Sequence, residues 1–275
     1  MSRIKKAGVV GFPVAHSLSP RLHGFWLKKY NIAGEYKHYE VRPENLPEFI
    51  HNMRSDKDFS GVNLTIPHKE SVIKLLDNID EIATEIGAVN VVINGNGKLI
   101  GKNTDAYGFA ENIKTSVTGT KKAVVLGAGG AAKAVIFSLL EIGFKEIIIT
   151  NRSRVRAEEL SSVIRHPLSV VDWQKRGEIL ENTDLLVNTT SLGMTGKESL
   201  EIDLSLLPKT ALVTDIVYSP LVTPLLAQAK ARGNPTIDGL GMLLYQAVPA
   251  FEAWFGIKPE VTEELRQYVL AGIKS

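Results

Sequence analysis

Three short segments within the first 105 residues carry polar side chains where packing alone does not ask for them: His16-Ser17-Leu18-Ser19-Pro20, Asn63-Leu64-Thr65-Ile66-Pro67-His68-Lys69 and Gly101-Lys102-Asn103-Thr104-Asp105. Ser17 and Ser19 put hydroxyls at the start of a helix opened by Pro20, where free backbone N–H groups favour a carboxylate. Ser19 is accounted for as the N-cap of that helix and Ser17 is not, so Ser17 is the stronger ligand candidate. In the second segment, period-two alternation sets Asn63 and Thr65 on one strand face, opposite Leu64 and Ile66. Polar residues near the carboxyl end of a buried parallel strand mark a ligand crevice. Lys69 follows in the first turn of a helix predicted over 69–76, where a cation opposes the dipole and a purely structural lysine is disfavoured. Asp105 supplies a carboxylate that could pair with Lys69, or equally cap a helix before Tyr107. An ammonium beside a carboxylate suits proton transfer or oxyanion stabilisation. Asn90, inside the apolar run 88–93, must be hydrogen-bonded if it is buried, and a ligand would serve.

A second kind of chemistry is written into residues 124–132, where Gly127, Gly129 and Ala132 stand in G-x-G-x-x-A spacing between an apolar run and a helix-prone segment. Strand, turn and helix in that order form a dinucleotide-binding turn, with the pyrophosphate at the helix N-terminus. An NAD site would place an Asp or Glu just after the next strand, 146–150. The chain has instead Asn151-Arg152-Ser153-Arg154-Val155-Arg156, guanidiniums and short polar groups suited to a 2′-phosphate. NADP is therefore expected over NAD. Arg154 is read as part of the solvated start of a helix over 155–164.

These residues need elements to hold them. Before the glycine turn, strands are expected at 7–11, 36–41 and 61–65, helices from Ser19-Pro20 and over 46–53, and a hairpin of 88–93 with 98–101 around Asn94-Gly95-Asn96-Gly97. After a helix over 107–116, strands at 123–126, 146–150, 169–171, 185–188 and 212–215 alternate with helices. Two final helices, 242–255 and 261–273, exceed what the nucleotide fold needs and are expected to return to the first domain. The fold class is α/β with an N-terminal substrate domain (1–104 plus 242–275) and a doubly wound Rossmann-type NADP domain (105–241). The active site is expected in the cleft between them.

Composition sets the outer limits. With 275 residues, 44% hydrophobic and 23% charged, the chain is an ordinary globular one, and a net charge of +2 gives no case for nucleic acid or a membrane surface. It has no cysteine, and its six histidines lack metal-ligand spacing, so no metal is expected. The basic start Met1-Ser-Arg-Ile-Lys-Lys is followed by an apolar run too short for a signal peptide, and 123–144 is broken by Lys133, Glu141 and glycines. A cytoplasmic location is the default expectation.

Taken in order, Ser17-Leu-Ser-Pro20, Asn63-Leu-Thr-Ile-Pro-His-Lys69, Gly87-Ala-Val-Asn90, Asn103-Thr-Asp105, Gly127-Ala-Gly-Gly-Ala-Ala132, Asn151-Arg152-Ser153, Asn188-Thr-Thr-Ser-Leu-Gly-Met194 and Asp238-Gly-Leu-Gly-Met242 through Gln246 resemble the shikimate dehydrogenase family across nearly the whole chain. The resemblance implies reversible reduction of 3-dehydroshikimate to shikimate by NADPH, in a monomer or homodimer. It implies that Ser17 and Ser19 hold the substrate carboxylate, and Thr65, Asn90, Asp105 and Gln246 its ring hydroxyls. Tyr218 would close over the substrate, and Lys69 and Asp105 would be the catalytic pair, with Lys69 an acid/base or an electrostatic stabiliser. Gly127, Ala128, Gly129, Gly130, Ala131, Asn151, Arg152, Ser153 and Arg156 would bind the cofactor, with Ile216 and Gly239 near the nicotinamide and Glu81 a further contact. Asn-Arg-Ser replaces the family's usual Asn-Arg-Thr and keeps the hydroxyl; Asn-Leu-Thr replaces Asn-Val-Thr on the apolar face. A quinate/shikimate dehydrogenase of broader specificity is the alternative enzyme. A non-catalytic sensor of NADP and a shikimate-like ligand is disfavoured, since a sensor could lose Lys69 or Asp105.

Overall fold

Runs of Val, Ile and Leu form strands that alternate with helices along the whole chain. The computed structural model describes residues 4–164, 166 and 168–273; residues 1–3 and 274–275 of the expected substrate domain lie outside the described residues. In order the elements are β1 (Lys5–Gly11), α1 (Ser19–Lys29), β2 (Gly34–Glu40), α2 (Leu46–Ser55), β3 (Phe59–Leu64), α3 (His68–Ser71), β4 (Asn78–Ile79), α4 (Glu81–Ile86), β5 (Val91–Gly95) and β6 (Lys98–Lys102). They continue with α5 (Asp105–Ile113), β7 (Lys122–Leu126), α6 (Gly130–Ile142), β8 (Glu146–Asn151), α7 (Arg154–Val163), β9 (Ser169–Asp172), β10 (Leu185–Asn188), β11 (Leu212–Asp215), α8 (Pro224–Ala231), β12 (Thr236–Ile237), α9 (Leu240–Phe255) and α10 (Glu263–Leu270). The chain divides into two units, 1–104 with 243–274, and 105–242.

The first unit holds a six-stranded mixed sheet in the order β2-β1-β3-β5-β6-β4. β1 lies parallel to β2 and β3, while β5 runs antiparallel to β3 and β6. The β5–β6 hairpin turns at Asn96 and Gly97, both at positive φ, as a tight two-residue turn requires. One sheet face buries Val10, Val62, Leu64 and Val92 against Leu46, Ile50 and Met53 of α2. Toward the other, α1 and the later turns of α9 supply Trp26, Phe251 and Trp254, all buried. Trp254 Nε1 donates to the Val92 carbonyl at 3.0 Å, and Gly61 has no side chain because a Cβ there would strike both groups. Burying a large apolar side chain stabilises by roughly 1.5–3 kcal/mol, so this aromatic layer is a main support of the unit.

The second unit is a six-stranded parallel sheet in the order β12-β11-β10-β7-β8-β9. The chain starts at the centre with β7, winds outward through β8 and β9, then returns to β10 beside β7. That reversal leaves a crevice at the carboxyl ends of β7 and β10, the ligand position of such sheets. Alternation in β7 sends Ala123 and Val125 into one core with α6, and Val124 and Leu126 into another with Leu186, Val213 and Leu225.

Several expectations need correction. Ser19 is not the N-cap of α1: it is the first helical residue, and Leu18 is the cap, with no side-chain cap hydrogen bond of its own. The helix expected over 69–76 is a single α turn from His68 followed by a 3-10 turn at Ile73–Leu75. Asp105 does not sit outside the next helix as a cap, because α5 begins at Asp105 itself. The strand expected from residue 88 starts at Val91, and α10 is shorter than 261–273 at both ends. The two-residue strands β4 and β12 and the six-residue α4 were not expected.

Candidate active site

Unit one gathers polar groups along the carboxyl ends of β1 and β3. β1 ends at Gly11, where a Cβ would run into the Thr65 methyl and the Ile66 carbonyl. That absence lets Thr65 N–H donate to the Val10 carbonyl at 2.9 Å and Phe12 N–H to the Ile66 carbonyl at 3.0 Å. Thr65 is thereby fixed beside the loop that carries Ser17 and Ser19. Ser17, which had no structural explanation in the sequence, has one here: its Oγ accepts the Ser19 N–H at 3.3 Å and donates to Ser19 Oγ at 3.2 Å. The two hydroxyls therefore act as a pair, with Ser19 buried and Ser17 half-buried.

Lys69 is the second residue of α3, half-buried, and its carbonyl accepts the Val89 N–H at 2.8 Å. Its neighbour His68 is fully buried and donates from Nε2 to the Val41 carbonyl at 2.7 Å. This anchor fixes the short turn that a four-residue helix could not hold alone. Asn63 is corrected from ligand candidate to interior group: it is buried, accepts from Tyr36 Oη at 2.7 Å, and donates from Nδ2 to the Asn90 carbonyl at 3.2 Å. Ile66 is not on a buried apolar face, being 76% exposed where the strand has already ended.

Asn90 is buried and its Nδ2 donates to Thr104 Oγ1 at 3.0 Å and Gln246 Oε1 at 3.4 Å, while its Oδ1 accepts the Thr104 N–H at 2.8 Å. Gln246 in turn donates to the Leu243 carbonyl at 3.0 Å. The structure thus brings Asn90 and Gln246 together and adds Thr104, the residue before Asp105. Glu81 lies exposed in the first turn of α4, whose cap is Asp80.

Unit two carries the nucleotide features. Gly127 leaves β7 at φ +114° with its backbone against Thr189, a close approach that a side chain would block. Gly129 is the N-cap of α6 and caps with no side chain, and a Cβ at Gly129 or Gly130 would meet nothing. The backbone at the start of α6 is therefore uncrowded by side chains at Gly129 and Gly130, beside Ala128 and Ala131, and a helix N-terminus of that kind fits a pyrophosphate. β8 ends in Asn151, whose Nδ2 donates to the Ser153 carbonyl at 2.8 Å; the Ser153 hydroxyl does not cap α7. Arg154 is committed to Glu158 at 2.7 Å and Asp172 at 2.5 Å. Arg152 and Arg156 are exposed with no carboxylate partner among the described residues, so those two guanidiniums remain for a 2′-phosphate.

Asp105 is buried at the first position of α5. Ile216 and Gly239 are brought together, since a Cβ on Gly239 would strike the Ile216 carbonyl. Tyr218 follows on the same loop, half-buried, and burial pushes its hydroxyl pKa up. The loop is held by a group absent from the sequence expectations. Asp215 accepts from three groups: Asn188 Nδ2 (3.1 Å to each oxygen), Val217 N–H (3.0 Å) and Thr223 Oγ1 (2.8 Å). It is completely buried, and burial raises its pKa, opposed by those hydrogen bonds. Its signal was available: Asn188 and Asp215 pair in register as the polar last residues of the buried strands β10 and β11.

Known proteins match this arrangement over its full length. Residues 9–92 match the shikimate dehydrogenase substrate binding domain, 109–240 the shikimate / quinate 5-dehydrogenase family and 239–266 the shikimate 5′-dehydrogenase C-terminal domain. A shikimate dehydrogenase (NADP(+)) of Paramagnetospirillum magneticum is 53% identical over 274 residues, covering 98% of this chain and 99% of that one. A shikimate 5-dehydrogenase of Thermus thermophilus, solved with NADP(H) and shikimate, superposes with a TM-score of 0.88 at 37% identity, covering 98% of this chain and 100% of that one. A quinate dehydrogenase of Corynebacterium glutamicum, solved with NAD, reaches 0.91 at 30% identity, covering 98% and 99%.

Proposed function

The chain belongs to the shikimate dehydrogenase family, and from that premise we propose that it catalyses the reversible NADPH-dependent reduction of 3-dehydroshikimate to shikimate, a step toward chorismate and the aromatic amino acids. The observation that carries this reading is the end-to-end likeness to the Thermus thermophilus protein solved with both NADP(H) and shikimate. The open, side-chain-free start of α6 and the uncommitted Arg152 and Arg156 support NADP(H) as the cofactor.

NADPH, when bound, supplies the hydride. Gly127, Ala128, Gly129, Gly130 and Ala131 would hold its pyrophosphate, Asn151, Arg152, Ser153 and Arg156 its 2′-phosphate, and Ile216 and Gly239 its nicotinamide. Ser17 and Ser19 would bind the substrate carboxylate, and Thr65, Asn90, Asp105 and Gln246 its ring hydroxyls, with Tyr218 over the ring. Lys69 and Asp105 are the proposed catalytic residues. The Lys69 ammonium stabilises the oxyanion that forms at the reduced ketone and delivers the proton to it. The Asp105 carboxylate accepts from a neighbouring ring hydroxyl.

The likeness to a quinate dehydrogenase makes breadth the second reading. Initial rates with shikimate or quinate, each with NADP+ or NAD+, decide between them. The expected result is a kcat/KM for shikimate with NADP+ at least about tenfold above every other pairing, a gap of about 1.4 kcal/mol in transition-state binding. Comparable values for quinate would overturn the narrower reading.

A further inference from the structure

The middle one of the three arginines after β8 stands where a helix disfavours it. Arg154 is the first residue of α7, and a cation there opposes the positive end of the helix dipole. Its ion pair with Glu158, from Nε to Oε1 at 2.7 Å, runs in the less favourable order for residues four apart, with the cation ahead of the acid. A second acid reaches it from another strand: Nη1 meets Asp172 Oδ1 at 2.5 Å. Asp172 is the last residue of β9 and pairs in register with Asn151, the last residue of β8. Neighbouring strands lie about 4.8 Å apart, so the backbone of this acid stands one strand spacing from the residue that opens the segment proposed for the 2′-phosphate.

The charges around that segment work against the phosphate unless Arg154 is present. A phosphate monoester carries close to two negative charges at pH 7, and Asp172 and Glu158 set two carboxylates near it. All three side chains of the cluster are about half exposed, and like charges closer than the Debye length of about 8 Å still repel at such positions. Asp172 also threatens the choice of cofactor in a second way. A carboxylate beside the end of the second nucleotide strand accepts from the ribose 2′-hydroxyl, which is how an NAD site is built, and Asp172 stands one strand over from that place. The Arg154 guanidinium sets one positive charge against the two negative ones and occupies Asp172 Oδ1 as an acceptor.

We infer that Arg154 is a specificity-determining residue that acts through Asp172, masking a carboxylate that would otherwise repel the 2′-phosphate of NADP and serve the 2′-hydroxyl of NAD. The inference rests on the NADP reading proposed above. Arg154 touches no cofactor in this role. The three arginines thus divide the work: Arg152 and Arg156 attract the phosphate, and Arg154 neutralises the acid beside it. Its unfavourable place on the dipole offsets two half-exposed ion pairs, so its removal should cost the fold little.

The test is a cycle of Arg154→Ala, Asp172→Asn and the double variant on the full chain, read by calorimetry as the Kd of NADP+ and of NAD+ at low and at physiological salt. Arg154→Ala should raise the NADP+ Kd roughly 2- to 5-fold, the range of exposed charge pairs, and should not raise the NAD+ Kd. Asp172→Asn added to it should bring the NADP+ Kd back to near the parent's, because the charge that Arg154 masks is then gone. The rise should shrink as salt is increased. An unchanged NADP+ Kd in Arg154→Ala would overturn the inference. So would an equal rise for NAD+, which marks a structural role, or a rise that Asp172→Asn does not relieve, which marks Arg154 as a direct ligand of the phosphate. A parent chain that binds NAD+ as tightly as NADP+ would count against the cofactor reading alone, since the role of Arg154 is read from the change in the two constants and not from their parent values.

Discussion

Replacing Arg152 by alanine isolates the group on which the choice of NADP over NAD depends. Of the three arginines that follow β8, Arg154 is already spent on Glu158 and Asp172, while Arg152 and Arg156 are exposed and uncommitted. A hydrogen bond to a charged group contributes roughly 1.5–3 kcal/mol, and solvent screening at an exposed arginine puts Arg152 near the lower end. About 1.4 kcal/mol is tenfold in binding, so Arg152→Ala should raise the NADP+ KM about 10-fold. NAD+ lacks the 2′-phosphate and should respond little, which makes the ratio of the two kcat/KM values the informative quantity. The shikimate KM should stay near the parent's, and the loss should shrink as salt is raised because the same screening weakens the parent's contact. Steady-state rates for Arg152→Ala, Arg156→Ala and Arg154→Ala with each dinucleotide measure all of this. Equal losses with NAD+ and NADP+, or an Arg154→Ala variant as impaired as Arg152→Ala, would refute the assignment.

Lys69→Ala should lower kcat by ~10²-fold or more while changing the shikimate KM far less, as expected of a group acting in the transition state; a near-normal kcat rejects the role. Gly129→Ala places a methyl in open space at an ordinary φ of −97°, so unfolding stability should move by less than about 0.5 kcal/mol while the NADP+ KM rises. An unchanged KM there would show that no phosphate approaches that backbone. Burial holds Asp215 above its ordinary carboxylate value of 3.8, so the folded chain keeps a proton that the unfolded chain has lost. Its contribution to stability is full below that ordinary value and is lost as pH rises through the folded-state pKa. Urea midpoints of the parent and Asp215→Asn, taken from about pH 4 upward, should show the variant gaining on the parent as pH rises; a constant gap rejects the burial argument.

Which features were legible in the sequence follows from how local their causes are. The nucleotide turn was readable because strand, glycine spacing and helix lie within twenty residues, and the missing acid after β8 is a matter of one position. The strands β7, β10 and β11 are legible to within a residue because buried parallel strands carry short apolar runs, Ala123 to Leu126, Leu185 to Val187 and Leu212 with Val213. β4 and β12, of two residues each, have no period to detect, and their pairing with β6 and β11 is set by tertiary contacts. The start of α1 was misplaced because Ser-x-Ser offers two hydroxyls and local preference cannot say which one bonds. In the folded chain the first serves the N–H of the second, and the helix begins at Ser19 without a side-chain cap.

A sharper division separates groups that meet a ligand from groups that place them. Asn90 and Lys69 stood out because each breaks the local pattern, a polar group in an apolar run or a cation at the wrong helix end, whereas Asp105 read equally well as a helix cap. Tyr36 and His23 break nothing. An aromatic residue in a strand and a histidine on the inner face of an amphipathic helix both satisfy the pattern, and their stack at 4.1 Å exists only after β2 and α1 have packed. Asn188 and Asp215 fall between: each is a polar group at the carboxyl end of a buried strand, but their meeting depends on parallel pairing of β10 with β11 in one register. Pattern-breaking therefore selects residues with an unmet need in isolation, whether a ligand or another side chain meets it. In Asn63 that need is met by Tyr36 and Asn90, and the same polar signal that marks a crevice marks the support beneath it.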